Sequence, residues 1–191
     1  MAFPDTWSEK ALVSVSKLAG SEVAYKTIIE TIDIDEGDKN VSQKTNIAGG
    51  KLIVKEAQNM TIVTLENFPV GIGTTATDNL GFSQLFNAGT WDTSQPLNSS
   101  ASTSRDLFRV AITWTDSTTA TASGAIVTAS TGYRYIASNG YLTGLKKSFT
   151  DGVLKFTAQF KFPVVNKSGT ANIHEWDCDT SAQITALVAY T

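Results

Sequence analysis

The chain has 191 residues, 41% of them apolar and 17% charged, with a net charge of −3. That length suits one domain with a core of its own, and the missing charge is replaced by Thr, Ser, Asn and Gly, a composition of short strands and turns more than of helices. The absence of any Lys/Arg run argues against a surface that wraps phosphates, no stretch approaches the roughly 18 apolar residues of a membrane span, and the lone Cys178 can form no disulfide within the chain.

Met1-Ala2-Phe3-Pro4-Asp5 has neither a basic n-region nor an apolar h-region, so no signal peptide is expected. Ala11 to Leu18 alternates and predicts a strand, with Gly20-Ser21-Glu22 as the turn after it. Lys26 to Ile34 is the next strand. It is apolar on both faces, as befits a strand covered on both sides or one that meets another subunit. Asp35 to Asn46 is polar and acidic with no clear helical period, Ala48-Gly49-Gly50 punctuates the chain, and Lys51 to Val54 is a short apolar run. Met60 to Phe68 closes the unit as a second clear strand. Two strands joined by a charged excursion of this length make a hairpin with an arm, residues 35–50, and so long a connection is rarely kept without a use. Val41 and Ile47 are the arm's only large aliphatic residues and its candidate anchors; Asp35, Glu36, Asp38, Lys39 and Lys44 are candidates for setting register by charge. The arm is too polar to build a core, so it is expected to become ordered only against a neighbouring subunit.

Leu80 to Phe86 is the best candidate for a short helix, inside a long connection, 74–104, that is otherwise rich in Ser and Thr. Leu107 to Thr115 predicts a strand with Phe108, Val110, Ile112 and Trp114 toward the core and a small, polar opposite face. Ala125 to Ala129 predicts a short strand. Tyr133 to Ala137 and Tyr141 to Lys147 flank Ser138-Asn139-Gly140, and Asn-Gly between such runs predicts a hairpin. After a turn at Asp151-Gly152, Leu154, Phe156, Ala158, Phe160 and Phe162 share one face of a strand that Pro163 ends. Three buried phenylalanines there contribute about 1.5–3 kcal/mol each. Val164 to Asp179 reads as loop or mixed structure, and Gln183 to Tyr190 as a last strand. The predicted core therefore centres on Val110, Ile112, Trp114, Phe156 and Phe160. With no repeat and no dividing linker, the expected fold is mainly β: one domain over residues 1–191, an antiparallel β-sandwich or barrel with one or two short helices and a long hairpin arm.

Reaction chemistry is hard to find. His174 is the single histidine, and no G-x-S-x-G accompanies it. His174-Glu175-Trp176-Asp177-Cys178-Asp179 groups metal-competent side chains, but not at zinc-motif spacing. Asp33, Asp35, Glu36 and Asp38 lack the spacing of a calcium loop, and Gly71-Ile72-Gly73 lacks the rest of a dinucleotide fingerprint. The expectation is no enzyme, no metal and no cofactor. Two classes of function remain open on the residues: a self-assembling structural protein, and a β-sandwich binding module, for carbohydrate or on a virion surface, using Trp91, Trp114 or Trp176 as stacking platforms.

Several phrases spread over most of the chain from Glu30 onward, IETIDIDEGDKNV, GGKLIVKE, TLENFPVG, FSQLFNAGTWDTSQPL, RDLFRVAITWTD, LKKSFTDGVLKFTAQFKFP and KSGTANIHEW, resemble tail tube proteins (major tail proteins) of tailed viruses of bacteria and archaea. The resemblance implies a structural virion protein, made in the host cytoplasm, whose copies form six-membered rings. Sheet edges would join around a channel, rings would stack into a tail tube with other tail proteins at its ends, and genome DNA would pass through without specific binding. The 35–50 arm would then reach the adjacent ring. The resemblance leaves the 74–104 connection without a role.

Overall fold

The computed structural model describes residues 10–18, 22–24, 28–68, 107–126, 131–178 and 184–191. Ten strands lie among them: β1 (Lys10–Lys17), β2 (Glu22–Ala24), β3 (Ile28–Asp35), β4 (Val41–Thr45), β5 (Lys51–Lys55), β6 (Thr61–Phe68), β7 (Phe108–Thr115), β8 (Gly132–Thr150), β9 (Val153–Phe162) and β10 (Ile173–Cys178). Their pairings are all antiparallel. No helix occurs among the described residues. The helix candidate Leu80–Phe86 and the 74–104 connection lie outside them.

The strands follow the order β2-β1-β7-β8-β9-β6-β3, with β10 also on β8 and β4-β5 as a separate ribbon. Strand β8 is shared. Its first part pairs with β7 and β10, its second with β9. The sheet curls at that strand, and its two halves face each other across the core.

The hairpin expected at Ser138-Asn139-Gly140 is therefore absent, because β8 runs unbroken through it for 19 residues. The Asn-Gly pair serves a bend instead. Asn139 takes a left-handed φ of 59°, and the pairing of β7 with β8 shifts register between Phe108 and Val110, opposite this point. Asn139 N donates to Tyr190 Oη at 2.9 Å, Tyr190 Oη donates to Asn139 Oδ1 at 2.7 Å, and Asn139 Nδ2 donates to Asn172 Oδ1 at 2.6 Å. A Cβ at Gly140 would overlap the Phe162 ring, so the backbone approaches the core there as only glycine permits.

The core between the two halves is built from Val13 and Val15 on β1, Val63 and Leu65 on β6, Phe108, Val110 and Ile112 on β7, Tyr135 and Ala137 on β8, and Ala158, Phe160 and Phe162 on β9. Phe108 meets Phe160 edge-on at 5.8 Å, and Phe160 lies against Phe162 at 6.3 Å. Phe156 is buried as well; Trp114 is partly buried against the core and 5.5 Å from Tyr133.

Strand β7 departs from the expected half-buried pattern. Its small, polar face, Arg109, Ala111, Thr113 and Thr115, is also buried. Segments 116–126 and 184–191 lie over that face. Arg134, fully buried on β8, holds them by donating from Nε to Thr113 Oγ1 at 2.7 Å, from Nη1 to Thr185 O at 2.8 Å and from Nη2 to Gly124 O at 2.6 Å. Arg109 Nη2 donates to Val188 O at 2.8 Å, and its guanidinium lies 5.2 Å from the Tyr190 ring centre. The last strand expected over Gln183 to Tyr190 is replaced, within the described residues, by this tethered segment, whose one bridge joins Ile184 to Ile126. Of the short strand expected over Ala125 to Ala129, the described residues show only that bridge at Ile126. Conversely, β10 forms inside the stretch expected to be loop or mixed structure.

Candidate functional site

The arm is the least integrated part of the described fold. It leaves the sheet at Asp35 and returns at Ile62, residues paired across β3 and β6, so both its ends sit at one sheet corner. The base is built by close backbone approach. Gly37 has a φ of +72°, and a Cβ there would lie 2.8 Å from Asn59 O. Asp35 Oδ1 accepts from Gly37 N at 3.0 Å, Gln58 Nε2 donates to Glu36 O at 2.8 Å, and Asn59 N donates to Asp38 O at 3.2 Å. Glu56 N donates to Asn40 O at 3.0 Å and starts the ladder of the ribbon. From there β4 and β5 pair from Val41 opposite Lys55 to Thr45 opposite Lys51. The tip is closed by Asn46, whose N donates to Gly50 O at 2.8 Å and whose Oδ1 accepts from Gly50 N at 2.7 Å, with Gly49 at a φ of +80°.

One expectation about the arm is corrected here. It extends beyond 35–50, because the apolar run at Lys51 to Val54 is its returning strand and not a separate piece. Its backbone groups pair across the ribbon. Ribbons of two strands with no third layer are marginal in water, and among the described residues this one pairs with no other strand.

The candidate residues are distributed along it. Asp35 ends β3; Glu36, Asp38 and Lys39 lie exposed along the base; Val41 and Lys44 are on β4; Ile47 stands fully exposed at the tip. Val41, 64% exposed, shares a face with Ile53, 67% exposed, while Lys44 and Leu52 occupy the other face. Leu52 and Ile53 are the residues sequence reasoning missed as candidate contacts. Their one visible signal is the β-rich run Lys51 to Val54, close after a Gly-Gly pair.

Other candidate chemistry is dispersed. His174 and Glu175 are successive residues of β10, so their side chains leave opposite faces. His174 stacks on exposed Trp176 at 5.5 Å. Among the described residues, no three His, Cys, Asp or Glu side chains gather to hold a metal. A cleft of about 280 Å³ between β8, β10 and the C-terminal segment is lined by Arg109, Arg134, His174, Trp176 and Leu187, among others. Near the arm base, burial first and then the Glu175 and Glu36 carboxylates push Tyr133 up to about 12. Tyr135 is shifted in the same direction by burial and the same carboxylates. Trp91 lies outside the described residues.

No protein-family model matches the sequence, and no curated protein matches it. Solved structures do match it in shape. A chain of the six-fold symmetrised baseplate of the anti-feeding prophage superposes with a TM-score of 0.52 at 14% identity, covering 92% of this chain and 97% of that one. The tail-tube-like fold is thereby shown. A chain from the tube-terminating cap of the same prophage gives 0.49 at 9% identity over 93% of each chain. A chain from the sheath/tube terminator of an extracellular contractile injection system gives 0.47 at 13% identity, covering 92% and 97%. At these identities the likeness concerns the fold alone.

Proposed function

We propose that this tail-tube-like protein is a non-enzymatic structural subunit, one domain over its whole length, whose copies form six-membered rings that stack into a tail tube. The six-fold symmetry is that of the baseplate whose chain it matches in fold. The observation that carries the reading is the β4–β5 ribbon: an arm with exposed Val41, Ile47, Leu52 and Ile53 and, among the described residues, no further strand beside it. A second copy supplies what the ribbon lacks, and the contact is repeated around a ring.

The channel follows from the same architecture. The β7 side of the curled sheet is covered on both faces, but β3, β6, β9 and the second part of β8 turn a polar face outward. Register places Asp33, Asp35 and Glu66 on it with Lys146, Lys155 and Lys161. Among the described side chains, three acids against three lysines leave that face with no net charge. Such a face suits a channel through which genome DNA slides.

Replacing residues 41–55 by a short Gly/Ser turn tests the arm. Asn40 and Glu56 are already hydrogen-bonded neighbours, so the shortened chain closes without strain. The expected result is a folded protein with an unchanged strand spectrum that no longer forms rings or tubes at concentrations where the full chain does. Normal tubes from the shortened chain would remove the arm from the assembly.

A further inference from the structure

The opposite end of the same sheet carries a second projecting ribbon. Strand β6 leaves β9 after Asn67 opposite Phe156, while β8 and β9 continue together to Thr150 opposite Val153. Asp151 and Gly152, at φ of 53° and 78°, close the turn. Along β9 the core face runs Phe162, Phe160, Ala158, Phe156 and then Leu154, paired with Phe149. The first four are buried, but Leu154 is exposed and Phe149 is 71% exposed. Among the described residues the core face thus runs out past the core. Exposed Lys147 lies on this face, its ammonium 5.7 Å from the Phe156 ring centre, whereas Lys146 lies on the opposite, outward face.

Register fixes how far apart the two projections are. The arm leaves the corner where Asp35, Ile62, Lys161 and Tyr141 align across four strands. The β8–β9 turn is eight residues away along β9, roughly 26 Å at about 3.3 Å per residue. One end of the sheet offers exposed Val41 and Ile53 above a base carrying Glu36 and Asp38; the other offers exposed Phe149 and Leu154 beside Lys147. Two different, complementary surfaces at opposite ends of one sheet can pair head to tail, each copy passing its contact to the next, or can close as an antiparallel two-fold pair that uses both ends of each copy. The head-to-tail arrangement is the one that extends a stack of rings beyond two copies.

We infer that the β8–β9 turn of one copy docks on the arm of the next, Phe149 and Leu154 against Val41 and Ile53, with Lys147 facing Glu36 and Asp38. This rests on the self-assembly reading above and names the surfaces that meet. The acidic base and Lys147 set the direction and the register of the contact.

Charge reversal tests the pairing. Variant K147E has acidic groups at both ends, and E36K/D38K has basic groups at both ends. The expected result is that each alone loses sedimentable assemblies at physiological salt, and that an equimolar mixture regains them by alternating. Regain in the mixture also shows that both variants are folded. A second readout uses Phe149→Cys with Ile53→Cys in a Cys178→Ala background, where oxidation should give a ladder of linked copies. Assembly of both reversed variants like the unaltered protein, or linkage confined within single chains, overturns the pairing and leaves the self-assembly reading standing. An unaltered protein that stays monomeric at every concentration overturns both. Protection of Phe149→Cys from a maleimide in the dissociated subunit would show that the chain itself covers the strip, which also overturns the pairing.

Discussion

Phe160 concentrates the packing of this fold in one side chain. It is fully buried between the two halves of the curled sheet, touching Phe108 edge-on and Phe162 nearly face-on. Phe160→Ala removes a ring from a site whose neighbours are themselves rigid rings, so the cavity cannot collapse fully. The expected cost is about 3–5 kcal/mol, measured by denaturant unfolding. A variant unfolding at the same denaturant midpoint as the unaltered chain would contradict the packing described. Tyr133 and Tyr135 give the residue scale a second prediction, in pH. Burial, with Glu175 and Glu36 nearby, raises both phenols above their ordinary value, Tyr133 to about 12. The unfolded chain ionises them near pH 10, so it releases protons first as pH rises. The stability linked to their neutral forms is complete below about pH 10 and is lost as pH climbs toward 12. Unfolding midpoints should fall through that window, and fall less in Tyr133→Phe. An equal fall in Tyr133→Phe would remove that tyrosine from the effect.

At the scale of elements, what the sequence disclosed depended on how unequal a strand's two faces are. Strand β9 was legible because its phenylalanines face the core and its Lys, Thr and Gln residues do not. The ribbon β4–β5 was obscure because solvent reaches both of its faces, so no alternation marks it. Strand β7 misled in the opposite way: Thr113 and Thr115 look like a wet face, yet the C-terminal region covers them. The arm's position and its polar character were visible; its returning strand and its exposed Leu52 and Ile53 were not. Asn139-Gly140 misled most, since a left-handed residue before a glycine serves a bend within a strand as well as a turn between two. That bend gives an element-scale prediction. A methyl at Gly140 overlaps the Phe162 ring, whereas one at Gly144 meets nothing nearer than Gln159 Cβ at 3.7 Å. Gly140→Ala should therefore cost about 1–3 kcal/mol as an overpacked site, and Gly144→Ala on the same strand far less. Equal unfolding midpoints for the two variants would mean that the Phe162 ring can move aside.

On the scale of the whole molecule, the argument concerns edges and charge. Strands β3 and β10 each pair on one side among the described residues, and each presents an unused ladder. Open edges of this kind promote association of monomers, and a closed ring of copies removes them. The face proposed to line the channel balances Asp33, Asp35 and Glu66 against Lys146, Lys155 and Lys161, and the chain as a whole is acidic at −3. A conduit for DNA needs this balance, because each phosphate neutralised by a lysine releases a counterion and holds the duplex in place. Assembled protein should therefore bind duplex DNA no tighter than ordinary non-specific binding, on the order of 10⁻⁴–10⁻⁶ M at physiological salt. Electrophoretic retardation across a salt series measures this. Changing Asp33 and Glu66 to Lys would give the proposed face five lysines against one acid, and that variant should retard DNA with a steep salt dependence while still forming tubes. Tubes of the variant that leave DNA as free as before would place the channel on another surface, and tight, salt-sensitive binding by the unaltered protein would argue against passage of DNA through it altogether.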